Sequence, residues 1–320
     1  MLVETADEVF VHDVSLPKSA TFFPIGFPVE IRTNSDAVLR AASESWSSFE
    51  QTYAEAPIVL SLAVTDVEQD RAPQRPQFRS HLHLMSIVSD AHNQVLCDLS
   101  RGCASGWITR RVAEDTAVTR LRFMESSVMM LLVQAHLAPM HSALIAKNGI
   151  GVALCGESFA GKSTLSYACA RSGWTYITDD GAYLVRKDRN RYAAGNPHIV
   201  RFRADAKDLF PELERFRVAR RVNGKQGIEV RTSELGISTA AGCAIDHLVF
   251  IRRSRTGPPG INPSDPAKAL HWLESAACYG SEEVRAAQRQ AYRRLVDAHV
   301  WELRYSDLSD AIQMLNGLGA

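Results

Sequence analysis

The first part of the chain alternates apolar and polar residues over short runs, with one longer segment of a different period between them. Alternation at every second position is typical of strands that bury one face. Residues 35–51 instead have the pattern of an amphipathic helix. The predicted strands cover FPVEIRT (27–33), APIVLSLAV (56–64), SHLHLMSIV (80–88), QVLCDL (94–99) and SGWITRRV (105–112). We therefore expect an α+β domain whose strands form an antiparallel sheet.

A long apolar stretch at 116–137 predicts a helix that leads into the second half of the chain. We place the domain boundary near Pro139, between residues 1–138 and 139–320. The predicted strands that follow cover 141–146, 150–155, 174–178, 181–186, 198–203, 227–231, 247–253 and 300–306. One predicted helix begins near Lys162, further helices lie within about 266–298, and a last helix follows Ser306. This order predicts an α/β nucleotide-binding core with a helical end.

Composition narrows the choice of partners. A length of 320 residues favours two domains, or one domain with a large appendage. Because 36 basic side chains balance 36 acidic ones, we expect neither nucleic acid nor a membrane surface as a partner. The six cysteines form no CxxC pair, no leader-like segment opens the chain, and no apolar run approaches the roughly 20 residues of a membrane span. These features predict a cytoplasmic protein with reduced thiols.

The stretch GESFAGKST at 156–164 follows the predicted strand 150–155 and opens a predicted helix. Its glycines, lysine and serine fit the phosphate-binding pattern G-x-x-x-x-G-K-[ST] in the context that gives this pattern meaning. In such a loop backbone N–H groups wrap a polyphosphate, Lys162 reaches the β and γ oxygens, and the Ser163 hydroxyl ligates Mg²⁺. The alternative is a glycine turn that happens to precede a helix. The predicted nucleotide-binding residues are Gly156, Glu157, Ser158, Phe159, Ala160, Gly161, Lys162, Ser163 and Thr164.

Residues further along the chain narrow the kind of nucleotide-binding protein. We find no N/T-K-x-D motif of a GTPase, and Asp246 precedes its apolar run, whereas a motor ATPase has its acidic residue after such a run. Two carboxylates, Asp179 and Asp180, instead end the short predicted strand 174–178. One carboxylate near a metal nucleotide can ligate Mg²⁺ while the other accepts the proton of an attacking hydroxyl. A solvated DDG turn is the alternative.

Residues 140 to about 255 resemble the catalytic domain of the HPr kinase/phosphorylase family, which is distantly similar to phosphoenolpyruvate carboxykinases. The likeness rests on MHSALI, GESFAGKS, RSGWTYITDD and GIEVRTSELGI, in that order. It implies an HPr-kinase type of P-loop fold for this region. The chain departs from the family at TSELGISTAAG (232–242), where the family has a glycine-containing loop, and the N-terminal unit has no counterpart.

The resemblance also implies roles for individual residues. Asp179 is then the acid/base group, and His141 assists at the transferring phosphoryl group, although a structural histidine at the start of a strand is the alternative. Lys162 and Arg231 complete the catalytic set. The implied Mg²⁺ ligands are Ser163, Asp180 and Glu229.

The predicted function is an ATP-dependent kinase that phosphorylates a hydroxyl, with Ser of a protein or peptide as the expected acceptor. A small-molecule kinase and a non-catalytic ATP-binding regulator are the alternatives. Between residues 186 and 255 there are 16 Lys or Arg and 8 Asp or Glu. This excess of positive charge would attract ATP and an acidic acceptor; the alternative is that these side chains form an ordinary solvated surface. We expect the N-terminal domain to recognise the acceptor or to build a homo-oligomer.

Overall fold

The computed structural model describes residues 14–67, 73–220, 224, 226–254, 257–277 and 280–318. The chain divides into two compact units, Met1–Leu132 and Val133–Ala320. The predicted boundary at 138/139 lies slightly later, within the strand Leu137–Met140. That strand pairs with Ala182–Val185, which ties it to the second unit.

The described residues of the first unit form one mixed sheet, the N-terminal sheet. Its strands are β1 (Lys18–Phe22), β2 (Val29–Thr33), β3 (Ile58–Thr65), β4 (Gln77–His81), β5 (Leu84–Asp90), β6 (Asn93–Asp98) and β7 (Cys103–Thr109). Their order across the sheet is β1-β2-β3-β7-β6-β5-β4. β3 runs parallel to both β2 and β7, whereas the remaining neighbours are antiparallel. The prediction of an antiparallel sheet was wrong at its centre. The helix between β2 and β3 carries the chain back to the starting end of β2, so that these two strands pair in parallel, whereas β7 pairs in parallel with β3 after the chain has passed through β4, β5 and β6.

The helical elements of this part of the chain are the 3₁₀ turn Pro24–Gly26, α1 (Asp36–Trp46), α2 (Arg110–Glu114), α3 (Thr116–Val118), the π-helical turn Thr119–Met124 and α4 (Glu125–Ala135). The predicted helix 116–137 therefore has a π-helical turn inside it and ends at Ala135. The predicted strand 80–88 is two strands, because Leu82 takes a left-handed φ of 53° and turns the chain. The predicted strand 105–112 ends at Thr109, where α2 begins.

The second unit contains three sheets in its described residues. Its strands are β8 (Leu137–Met140), β9 (Ala143–Lys147), β10 (Ile150–Cys155), β11 (Thr175–Thr178), β12 (Ala182–Val185), β13 (Tyr192–Gly195), β14 (Ile199–Phe202), β15 (Ala219–Arg220), β16 (Gln226–Arg231), β17 (Gly242–Ala244), β18 (His247–Arg253), β19 (Gly260–Pro263) and β20 (His299–Tyr305). The central sheet has the order β11-β9-β10-β18-β20-β19, the side sheet β17-β13-β12-β8 and the small sheet β14-β16-β15. β18 runs parallel to both β10 and β20.

The helical elements of the second unit are α5 (Lys162–Arg171), α6 (Pro266–Ala277), α7 (Glu282–Leu295), α8 (Leu308–Asn316) and the 3₁₀ turns Ala204–Asp208, Pro211–Arg215 and Thr232–Glu234. Nowhere in the described ranges is a helix both long and apolar enough to cross a membrane. Cys97, Cys103, Cys155, Cys169 and Cys243 are free thiols, and Cys278 lies outside the described residues.

The central sheet buries both of its faces. Along β10, Val152 and Leu154 join a core that includes residues of α5 and α8, while Ala153 and Cys155 join a core that includes residues of α6 and α7. Successive side chains of a strand point to opposite faces, so a nearly continuous apolar strand is the expected sequence for such a position. The second unit is thus a mixed α/β structure with helices on both faces of its central sheet.

A buried histidine at the start of β18, His247, is expected to make the stability of the fold depend on pH. Trp301 Nε1 donates to His247 Nδ1 at 3.0 Å. Burial, and then the stacked ring of His299 at 5.3 Å, lower the pKa of His247, although Asp246 raises it. Because the unfolded chain takes up this proton at a higher pH than the folded chain, the contribution of His247 is complete above a pH of about 6.5 and is lost as the pH falls below that value.

We therefore expect the urea midpoint of the native chain to decrease from about pH 7 to pH 5, and His247→Gln to decrease less over the same range. A Gln oxygen can still accept from Trp301 but does not titrate. The exposed His271 provides the control, because His271→Gln should follow the native curve. Parallel native and His247→Gln curves would contradict the prediction.

Candidate functional site

The loop between β10 and α5, residues 156–161, is called the glycine loop here. Gly156 has a φ of 151° and Gly161 a φ of 100°. A Cβ on Gly156 would lie 3.3 Å from the carbonyl oxygen of Ile251 in β18, and one on Gly161 would lie 2.8 Å from the hydroxyl of Tyr305 in β20. The glycine loop therefore lies against the carboxyl ends of the parallel strands, where open α/β sheets commonly bind ligands.

Gly161→Ala is expected to lower the free energy of unfolding by about 1 kcal/mol or more beyond the effect of Gly173→Ala. Both glycines flank α5 and have a positive φ, 100° and 88°, so the backbone strain of an alanine is similar at the two positions. Only the Gly161 Cβ meets a close neighbour, because nothing lies within 4 Å of a Cβ built on Gly173. Urea unfolding of both variants measures the difference, and equal losses would contradict the contact with Tyr305.

The Lys162 side chain is buried, with 6% of the residue exposed, and it lies back across the glycine loop. Its Nζ donates to the carbonyl oxygens of Gly156 at 2.8 Å and Glu157 at 3.1 Å. Burial lowers the pKa of Lys162, and the Asp180 carboxylate opposes that shift. The structure thus places a cation within the loop that the sequence predicted to hold phosphates.

The exposed part of the glycine loop is Glu157, Ser158 and Phe159. Phe159 has a left-handed φ of 73° and is 77% exposed. The Arg203 guanidinium carbon lies 5.2 Å from the centre of its ring. Because Arg203 follows β14 directly, this contact brings the tip of the loop beside the end of the small sheet.

The two predicted carboxylates follow β11 at the same edge of the central sheet as the glycine loop. β11 is antiparallel to β9, which is antiparallel to β10, so β11 and β10 run in the same direction. The Ser163 hydroxyl in the first turn of α5 donates to the carbonyl oxygen of Asp179 at 3.4 Å. Asp179 and the start of α5 are therefore neighbours.

Asp179 and Asp180 have different surroundings. Asp179 is 2% exposed, and its Oδ2 accepts the backbone N–H of Arg201 at 2.9 Å. Burial raises the pKa of the Asp179 carboxyl, and the Arg201 guanidinium partly opposes the shift. Asp180 is exposed, and its Oδ1 lies 3.0 Å from Nδ1 of His141, a contact that lowers the pKa of Asp180. The two neighbouring carboxyls thus differ in burial and in partner, and their pKa values shift in opposite directions.

Glu229 lies on β16 directly opposite Arg201 on β14. Arg201 Nε donates to Glu229 Oε2 at 3.1 Å. The sequence reasoning missed Arg201, although an antiparallel pairing of HIVRFR with GIEVR would have placed the two side chains together. Arg231 lies two residues beyond Glu229, on the same face of the small sheet, and is exposed.

The predicted metal ligands have other partners. Ser163 contacts the Asp179 carbonyl, Asp180 contacts His141, and Glu229 contacts Arg201. Within the described part of the chain, no three His, Cys, Asp or Glu side chains are grouped so as to hold a metal ion. The donors themselves are a hydroxyl and carboxylates, which are oxygen ligands of the kind that Mg²⁺ takes together with water and phosphate oxygens. The donor set fits Mg²⁺ chemically.

No family model and no curated protein match the chain. Among solved structures it is similar to the HPr(Ser) kinase/phosphatase from Coxiella burnetii, with a TM-score of 0.32 and 11% sequence identity. The match covers 57% of this chain and 97% of that chain.

Proposed function

We propose that the chain is an ATP-dependent kinase that uses Mg²⁺ and transfers the γ-phosphoryl group to a hydroxyl, with Ser of a protein or peptide as the acceptor. One observation carries the proposal. A glycine loop with its lysine and a buried carboxylate lie together at one edge of a sheet, joined by the contact between Ser163 and Asp179. A phosphate-binding loop needs the first feature, and a base for an attacking hydroxyl needs the second.

The glycine loop and the start of α5 would hold the phosphates of ATP. The first N–H groups of a helix have no partner within the helix and carry positive potential, which favours an anion. Lys162 would exchange the carbonyl oxygens of Gly156 and Glu157 for phosphate oxygens. Its position within the loop supports this role because only the ammonium group has to change partners.

Asp179 would accept the proton of the acceptor hydroxyl as the oxygen of that hydroxyl bonds to phosphorus and ADP leaves. Burial raises the pKa of its carboxyl, which makes it a better proton acceptor than an exposed aspartate. The backbone N–H of Arg201 holds one carboxylate oxygen in place. The proton would then stay on the Asp179 carboxyl until the product leaves.

Ser163, Asp180 and Glu229 would provide oxygen ligands to Mg²⁺, which offsets the charge of the phosphates when bound. His141 holds the Asp180 carboxylate through its Nδ1. Arg231 adds a further positive charge on the face of the small sheet that carries Glu229.

Two parts of the chain are candidates for acceptor recognition. The basic segment 186–255 includes Arg201, Arg203 and Arg231, while its Arg221, Lys225 and Arg255 lie outside the described residues. In the first unit, β4 is exposed along its whole length at the end of the N-terminal sheet. An exposed edge strand can pair with an extended peptide or with a second copy of the chain. We propose acceptor recognition or homo-oligomerisation for this unit.

The test is incubation of the full chain with γ-labelled ATP, Mg²⁺ and a lysate of its host, followed by separation of proteins from metabolites. We expect label on Ser of a protein or peptide. Label confined to metabolites would indicate a small-molecule kinase of the same fold. Nucleotide binding without any transfer of label would overturn the kinase proposal in favour of an ATP-binding regulator.

A further inference from the structure

Arg201 contacts two carboxylates of the site, those of Asp179 and Glu229, through different atoms. Its backbone N–H donates to Asp179 Oδ2, and its guanidinium Nε donates to Glu229 Oε2. The first contact is fixed by the backbone of β14. The second belongs to a long side chain with one third of its surface exposed, so the guanidinium can leave Glu229 while the contact with Asp179 stays.

The ion pair between Arg201 and Glu229 is of a kind that a stronger charge can displace. Its side chains are 32% and 39% exposed, and solvent screening makes such pairs weak. A divalent cation at the same carboxylate would repel the guanidinium at short range. A guanidinium released beside a bound nucleotide has a good alternative partner, since planar N–H donors match phosphate oxygens.

Arg201 is also close enough to act on the rest of the site. Its charge opposes the rise in the pKa of Asp179 and contributes to the lowered pKa of Asp180. Arg203, two positions further on, reaches the ring of Phe159 at the tip of the glycine loop. The side chains at this end of β14 therefore extend toward the place proposed for the phosphates.

We propose that Arg201 is a positioning residue that changes partners when ATP and Mg²⁺ bind, so that its guanidinium leaves Glu229 and takes a phosphate oxygen. This inference rests on the proposed ATP site. The exchange leaves both the Glu229 carboxylate and the Arg201 guanidinium with a partner. Glu229 would bind the metal in place of the guanidinium, and the guanidinium would bind a phosphate oxygen in place of the carboxylate. In the nucleotide-free chain Arg201 thus competes with Mg²⁺ for Glu229.

Calorimetric binding of a non-hydrolysable ATP analogue over a range of Mg²⁺ concentrations tests the exchange. In Arg201→Gln, the Mg²⁺ concentration for half-maximal binding is expected to fall by about two- to fivefold, because Glu229 loses its competing cation. The affinity for the analogue at saturating Mg²⁺ is expected to fall by about tenfold or more, because a charged contact with phosphate is lost. A purely structural role for Arg201 would worsen both quantities.

Two further variants separate the exchange from general effects of charge. Arg171→Gln removes a cation from the end of α5 away from the glycine loop, where Arg171 pairs with Glu212 at 3.1 Å. It should leave the Mg²⁺ requirement unchanged. Arg201→Lys keeps the charge and should keep a Mg²⁺ requirement close to that of the native chain.

A second measurement tests the exchange of partners if Arg201→Gln does not fold. Without Mg²⁺, Glu229→Gln is expected to bind the analogue about two- to fivefold more tightly than the native chain, because the guanidinium is released to the phosphates. Glu234→Gln, which removes an exposed carboxylate from the same segment, should not show this gain.

The outcomes distinguish this inference from the proposed function. A native chain that binds no analogue at any Mg²⁺ concentration overturns the proposed function and the exchange with it. A native chain that binds, with Arg201→Gln needing as much Mg²⁺ or more, overturns the exchange alone. The exchange also fails if Arg171→Gln lowers the Mg²⁺ requirement equally, or if Glu229→Gln and Glu234→Gln behave alike without Mg²⁺.

Discussion

Replacing Lys162 with alanine is expected to reduce the affinity for ATP with Mg²⁺ by about 10- to 100-fold, the usual worth of a hydrogen bond to a charged group. The ammonium group is buried within the glycine loop, where its present partners are two backbone carbonyl oxygens. Those carbonyls can accept from water in the variant, whereas no other side chain of the loop carries a positive charge. Alanine also suits the first position of α5, so the far-UV circular dichroism should not change.

The matched control for Lys162→Ala is Arg171→Ala, which removes a cation from the last position of the same helix. Arg171 is half-exposed and pairs with Glu212 at 3.1 Å, at the opposite end of α5 from the glycine loop. Its replacement should leave nucleotide affinity within about twofold of the native value, as expected for a surface pair. Undiminished affinity in Lys162→Ala would end the assignment of the loop to phosphate binding.

Local elements of the second unit were predictable from the sequence because their signals are local. The apolar run at 247–253 corresponds to β18, and the helix predicted from Lys162 begins there. The strands predicted at 141–146 and 150–155 correspond to β9 and β10, which are joined by a turn with a positive φ at Asn148 and Gly149. Such features depend on a few neighbouring residues, whose conformational preferences the sequence displays directly.

The pairing of strands was not predictable in the same way. Alternation along β2 and β3 shows which residues face the core, but it is the same for parallel and antiparallel neighbours. The parallel pairing of β2 with β3 depends on how α1 returns the chain, which is a property of the folded unit. For the same reason Arg201 was missed, since its position opposite Glu229 exists only once β14 and β16 have paired.

The contacts of the predicted metal ligands also could not be predicted from the sequence. The family resemblance implied that Ser163, Asp180 and Glu229 share a metal, yet each of these residues has a separate partner in the structure. A carboxylate without a metal still needs to be paired or solvated. Arg201 meets this need for Glu229, and His141 meets it for Asp180.

Asp179→Asn is expected to reduce phosphoryl transfer by about 10²- to 10⁴-fold, the usual contribution of a general base, while nucleotide affinity is retained. The amide keeps the shape of the side chain, and its oxygen can still accept the backbone N–H of Arg201. What it loses is the ability to take a proton. Stability should not decrease, because a buried neutral amide avoids the cost of burying a charge.

The comparison with Asp180→Asn decides which carboxylate is the base. Asp180 is exposed and paired with His141, so its replacement should raise the Mg²⁺ requirement and leave transfer at saturating Mg²⁺ much less affected than Asp179→Asn does. Both variants are measured by transfer of label from γ-labelled ATP and by calorimetric binding of a non-hydrolysable analogue. Normal turnover in Asp179→Asn, together with a large loss in Asp180→Asn, would move the role of the base to Asp180 and make the burial of Asp179 a structural feature.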